Sequence, residues 1–139
     1  MSSTENELHL WRSRAIDSFA LAEAAIEKML RNADRCGKSE TMRDRINRVL
    51  QSPGSALTLT DDEKGKVDRI LGELIDLLPL RNAMVHAPML LLDGGETSAC
   101  FANPQQKSAY CGMTFQVTKA QFQRITTKVK QLAKDLETT

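Results

Sequence analysis

An arginine, an asparagine and a histidine lie close together in Leu80-Arg81-Asn82-Ala83-Met84-Val85-His86. Between them they hold the groups that phosphate chemistry needs. A guanidinium fork can grip a phosphate, or the charge that develops on it in a transition state, through two parallel N–H···O bonds. An imidazole can take a proton and return it at neutral pH. Asn82 and His86 are four residues apart and share a face wherever the helix persists. From there Asn82 can orient the imidazole or donate to a phosphate oxygen. Arg81 lies five residues before His86, about 140° away around an ideal helix. Its side chain meets the ring only at a kinked end or across a dimer seam. A plainer role stays open for the same residues, a basic last turn that serves the helix end and its dipole.

The elements that must position this segment are readable from apolar spacing. Leu8, Trp11, Ala15, Phe19, Ala22, Ile26 and Leu30 recur at intervals of three and four, which predicts one amphipathic helix to about Asn32, capped by Ser2, Ser3 or Thr4. A shorter helix is expected from Ser39, with Met42, Ile46, Val49 and Leu50 inward, stopped by Gln51-Ser52-Pro53-Gly54-Ser55. Thr60-Asp61-Asp62-Glu63 reads as a capping box that opens a third helix. Val67, Ile70, Leu71, Leu74, Ile75, Leu77 and Leu78 give that helix a broad apolar face, and Pro79 is expected to kink or stop it before a last turn. Met89–Leu92, a turn at Asp93-Gly94-Gly95-Glu96, Thr97–Ala102 and Ala109–Val117 read as extended. Thr118 then caps a final helix with Phe122, Ile125, Val129, Leu132 and Leu136 on one face. One-sided stripes must be buried together. The expected fold is therefore mainly α: one domain over residues 1–139, a four-helix bundle with a small β-hairpin or meander inserted at about 88–117, between helices 3 and 4.

Composition sets bounds on function. The 139 residues are the length of one ordinary domain, 41% hydrophobic and 27% charged, and only 4% aromatic, so the core is aliphatic. No apolar run approaches the ~20 residues that span a bilayer, and no membrane association is expected. The polar start MSSTENELHLW is not a secretory signal, so the expectation is a cytoplasmic protein with reduced thiols. The net charge of +1 excludes a globally basic nucleic-acid binder but averages unlike segments. Residues 1–27 carry five acids against Arg12 and Arg14. Residues 28–48 hold Lys28, Arg31, Arg35, Lys38, Arg43, Arg45 and Arg48 against three acids. Arg31, Arg35, Arg43, Arg45 and Arg48 are the candidate RNA-binding side chains. The plainer reading is a solvated face with four-residue pairs such as Glu40–Asp44–Arg48.

Arg81-Asn82-x-x-x-His86, at the end of the third helix of a small helical chain, resembles the R-x(4–6)-H motif of the HEPN superfamily (higher eukaryotes and prokaryotes nucleotide-binding). A polar residue directly after the arginine belongs to that pattern, and Asn82 fits it. The likeness in helix order runs from about residue 5 to 137. The resemblance implies a HEPN-like bundle and a metal-independent endoribonuclease, a toxin or defence effector that acts as a homodimer with two motifs facing across the interface. In such a site Arg81 would hold the scissile phosphate. His86 would be general base or acid around the 2′-hydroxyl and the leaving 5′-oxygen, and Asn82 would position phosphate or imidazole. The products would be a 2′,3′-cyclic phosphate and a 5′-hydroxyl. No metal and no cofactor is implied; RNA is the substrate, and an antitoxin or other protein is the expected partner. Members paired with nucleotidyltransferase antitoxins often carry a tyrosine two residues after the histidine that receives AMP, and here Pro88 stands in that place. Many members are not catalytic. The alternatives are a non-catalytic HEPN-like module that binds RNA, nucleotide or a protein partner, and a helical regulatory protein with no nucleic-acid role.

The remaining chemically suggestive residues carry less. His9, the second histidine, reads as a surface side chain. Cys36, Cys100 and Cys111 lack the close C-x(2–4)-C spacing of a zinc site, though Cys100 and Cys111 can face each other across the extended segment. Gly94-Gly95 lacks the strand and helix that flank a phosphate loop.

Overall fold

The computed structural model describes residues 3–37, 40–93, 95–102 and 114–139. They form four helices, α1 (Ser3–Asn32), α2 (Met42–Gln51), α3 (Asp61–His86) and α4 (Lys119–Glu137). Three short strands, β1 (Leu90–Leu92), β2 (Ser98–Ala102) and β3 (Thr114–Thr118), lie between α3 and α4 in sequence. The chain is thus mainly helical with a small antiparallel sheet, as the spacing predicts. None of the helices among the described residues is long and apolar enough to cross a membrane. The residues divide into two compact units, and α1, α3 and α4 each contribute a part to both.

One unit comprises Met1–Ser18 and Leu77–Lys128 and holds the Arg81–His86 segment. Its sheet runs in the order β1-β2-β3, with Leu91 opposite Ala99 and Cys100 opposite Gln116. Gly95 takes φ +89° in the β1–β2 connection, a conformation that glycine adopts at no steric cost. Thr97 Oγ1 donates to Asp93 Oδ1 across the same turn. The strand alternation read from the sequence is realised: Phe115 is half-buried, Gln116 exposed and Val117 buried. Strand β3 starts at Thr114, and Cys111 and the rest of 109–113 lie outside the described residues. The core joins Leu8 and Ala15 of α1, Leu78, Ala83 and Met84 of α3, Phe101 of β2 and Phe122 of α4. The Phe101 and Phe122 rings meet edge to face with centroids 6.3 Å apart, the arrangement that the ring quadrupoles favour.

The other unit comprises Phe19–Asp76 and Val129–Thr139. Phe19, Ile26 and Leu30 of α1, Ile46 and Val49 of α2, Val67, Leu71 and Leu74 of α3 and Val129 of α4 are buried in it. These are the positions the three-and-four spacing selects, because a 3.6-residue period puts them on one side. The α3 face is narrower than its composition suggests, since Ile75 and Leu77 are only half-buried. Helix α2 opens on Thr41, not on Ser39, which lies outside the described residues. A capping box needs an acceptor three residues on. Thr41 has Asp44 there, whereas Met42 follows Ser39 at that distance. The box predicted at α3 forms, and the cap predicted at Thr118 of α4 is also a box, completed by Gln121. Thr60 N donates to Glu63 Oε1 over 2.9 Å, and Thr118 N to Gln121 Oε1 over 2.9 Å, each with the reciprocal bond in place.

Candidate functional site at the end of α3

Pro79 does not end α3; the helix runs on to His86. The missing proline N–H removes one i→i−4 bond, to the Ile75 carbonyl, and the last carbonyls of the helix, like those of any helix end, need donors from elsewhere. The sequence denies it the usual local cap. A glycine-type motif would take an N–H from the residue two beyond the helix, and that residue is Pro88, which has none. The Met84 carbonyl, and that of Ala87 just beyond the helix, are taken instead by a side chain from α1. Arg12 Nε and Nη2 donate to the Met84 carbonyl over 2.8 and 2.5 Å, and Nη2 donates to the Ala87 carbonyl over 3.0 Å. The guanidinium also lies 5.5 Å from the centre of the Phe101 ring on β2. One arginine therefore ties down the helix end at two carbonyls, places a cation at its negative pole and stacks on the sheet.

The candidates sit directly around this clamp. Arg81 and Asn82 are half-exposed and His86 is exposed. Arg81 Nη1 donates to Asn82 Oδ1 over 3.0 Å. Asn82 therefore steadies the guanidinium, a role different from orienting the imidazole. His86 makes no hydrogen bond or ion pair among the described residues, and its ring faces solvent. On an ideal helix Arg81 and His86 leave the backbone about 140° apart, but the Arg81 fork reaches the Asn82 amide, and Asn82 shares a helix face with His86.

The five arginines Arg31, Arg35, Arg43, Arg45 and Arg48 all belong to the other unit. Four of them are engaged there. Arg31 pairs with Glu27 over 2.5 Å, Arg45 with Glu23 and Arg48 with Glu40. Arg35 Nη1 donates to the buried Ser52 Oγ over 3.1 Å. The expected Glu40–Asp44–Arg48 row is not what forms. Asp44 is drawn into the Thr41 capping box, and Arg48 reaches across eight residues to Glu40. Arg43 is exposed and has no such partner among the described residues.

His9 lies 4.0 Å from Glu5 on the α1 surface, in line with a surface role. Cys36 and Cys100 are free thiols. Among the described residues there is no group of three or more His, Cys, Asp or Glu that could hold a metal ion.

Arg12 is the residue that the sequence reading missed as part of the site, since it lies 72 residues from Met84. The signal that could have found it is negative: a helix ending before Ala87-Pro88 has no local way to satisfy its last carbonyls. Comparison of the chain with protein-family models, with curated proteins and with solved structures returns no match.

Proposed function

We propose that this chain is an endoribonuclease of HEPN type, built as a four-helix bundle with a β insertion and acting as a homodimer. The observation that carries the reading is the state of His86: exposed, and without a partner among the described residues, at the end of a helix that Arg12 holds in place. A histidine kept only for packing would be buried or bonded.

In the proposed reaction Arg81 binds the non-bridging oxygens of the scissile phosphate and stabilises the charge that builds on the phosphorane. His86 takes the proton from the 2′-hydroxyl as its oxygen bonds to phosphorus. The P–O5′ bond breaks, and the leaving oxygen takes a proton from the second histidine of the dimer. The products are a 2′,3′-cyclic phosphate and a 5′-hydroxyl. Asn82 holds the Arg81 fork through the 3.0 Å bond between them. In the homodimer each arginine can serve a phosphate that faces the other copy's histidine. The same unit exposes Leu10, Val85, Leu90 and Leu92, apolar area that a second copy would cover.

A second reading, a non-catalytic module for RNA, nucleotide or a protein partner, is favoured by the Arg81–Asn82 bond, which ties up one arm of the fork in the free chain. The deciding experiment incubates end-labelled RNA with the purified protein and EDTA and identifies the new 3′ ends. Cyclic-phosphate ends from the native chain, absent with Arg81→Ala and His86→Ala, support the nuclease. Binding without cleavage, weakening as salt rises, supports the second reading. Equal cleavage by all three proteins would contradict the assignment.

A further inference from the structure

A groove of about 330 Å³ lies beside the motif helix, in the same unit as Arg81 and His86. Leu80 of α3, Val117 of β3 and Ile125 of α4 line its apolar part together with the half-buried ring of Phe115. Gln116, Gln121 and Arg124 make its polar rim. Leu80 adjoins Arg81 in the chain, so the groove and the motif share successive residues of α3.

We propose that this groove is a nucleobase subsite for single-stranded RNA, with Phe115 as the stacking face and Arg124 as a phosphate contact. The proposal rests on the reading of the chain as an RNA-acting protein and names where a nucleotide flanking the scissile phosphate is held. Three features of the groove match that ligand. Its volume lies within the 300–1,000 Å³ of small-molecule sites. An accessible aromatic ring among aliphatic side chains is the surface on which unpaired bases stack, and such stacking tolerates any base. The rim amides are each half-committed. Gln116 Nε2 donates to Ser98 Oγ over 2.9 Å, which leaves its Oε1 to accept. Gln121 Oε1 accepts from Thr118 N, which leaves its Nε2 to donate. One free acceptor and one free donor complement the adjacent donor and acceptor on the Watson–Crick edge of an unpaired base.

The charge agrees. Residues 119–128 contain Lys119, Arg124 and Lys128 and no acid. Lys119 is paired with Glu7 over 2.9 Å, whereas Arg124 is exposed and has no partner among the described residues. A guanidinium at the mouth of an apolar slot suits a ligand with a flat apolar face and an attached anion, which a nucleotide is.

Binding of a fluorescein-labelled single-stranded RNA decamer, followed by anisotropy in the His86→Ala background to prevent turnover, tests the subsite. Phe115→Leu keeps an apolar side chain in β3 but removes the ring, and should weaken binding about tenfold. Phe115→Tyr should restore it. Arg124→Gln, a surface change with no packing cost, should reduce the slope of log affinity against log salt by about one. If Phe115→Leu and Arg124→Gln bind as the His86→Ala parent does, the subsite is refuted, even where the native chain cleaves RNA. If both variants lose affinity while the native chain never cleaves, the subsite stands and the nuclease reading falls. Absence of any RNA binding by the parent refutes both.

Discussion

Arg45 and Arg48 are tied to Glu23 and Glu40, and Arg31 to Glu27, whereas His86 projects into solvent from a helix end fixed by Arg12. In the sequence the arginine-rich segment carries the larger count of charge, with a solvated face as its plainer reading, and the short Arg-Asn-x-x-x-His string carries the groups for chemistry. Their surroundings differ in the same sense. The segment sum of residues 28–48 counts Arg31 and Arg45 as excess charge, but the acids that face them, Glu27 and Glu23, belong to the preceding acidic stretch. Two of the segment's arginines are thus neutralised by acids outside it, and its net charge in space is smaller than its count. The motif has few charges, but its histidine is left unengaged.

That contrast can be broken or sharpened by substitution. The largest expected effect is on the motif's foundation. Phe101→Ala removes the ring beneath Arg12 and its edge-to-face contact with Phe122, and should lower stability by about 3–5 kcal/mol in urea unfolding. Arg12→Ala leaves the Met84 and Ala87 carbonyls without their donors and should lower stability by about 2 kcal/mol. Amide exchange should rise first in the last turn of α3. Arg12→Lys, which keeps the charge but not the fork, should recover only part of the loss. Uniform exchange changes over the whole chain would argue against a local clamp. Next, Arg45→Ala and Glu23→Ala, combined in a double-mutant cycle, should give a coupling of under about 1 kcal/mol, as part-exposed ion pairs do. A coupling of several kcal/mol would mean that the pair is structural and the contrast misjudged.

The smallest effect concerns a cap. The backbone hydrogen bond with Thr60, and then the side-chain bond to the same residue, hold the Glu63 carboxyl below its ordinary range. Its folded value lies below its unfolded one, so the contribution is complete above the unfolded pKa and fades as pH falls through the folded value. Glu63→Gln should therefore cost a little stability at neutral pH and none at acid pH below the folded value, so the acid-side loss is flatter. A larger change at neutral pH would assign Glu63 a different role.

What could be read in advance was local. The stripe from Leu8 to Leu30, the box at Thr60 and the cap at Thr118 depend on residues three or four apart, and each formed as expected. What could not be read was non-local. The bond from Arg12 to Met84 spans 72 residues, and no periodicity encodes it; only the incapacity of Pro88 as a cap hints that a distant donor is required. Pro79 leaves two outcomes open, a kink or a stop, and the helix running on to His86 removes the stop. The motif's residues were legible as types, but the engagement of Asn82 with Arg81 instead of His86 was not.

The most direct test of the central claim compares cleavage of one RNA by the native chain, His86→Ala and a variant with Arg43, Arg45 and Arg48 all changed to Gln, in EDTA under single-turnover conditions. The account predicts that His86→Ala slows cleavage by about 10²–10⁴-fold, the range for loss of a general acid–base, while the triple variant keeps its rate within about threefold and shows at most weaker binding at raised salt. Cleavage retained by His86→Ala and lost by the triple variant would place the chemistry in the arginine cluster and contradict the account.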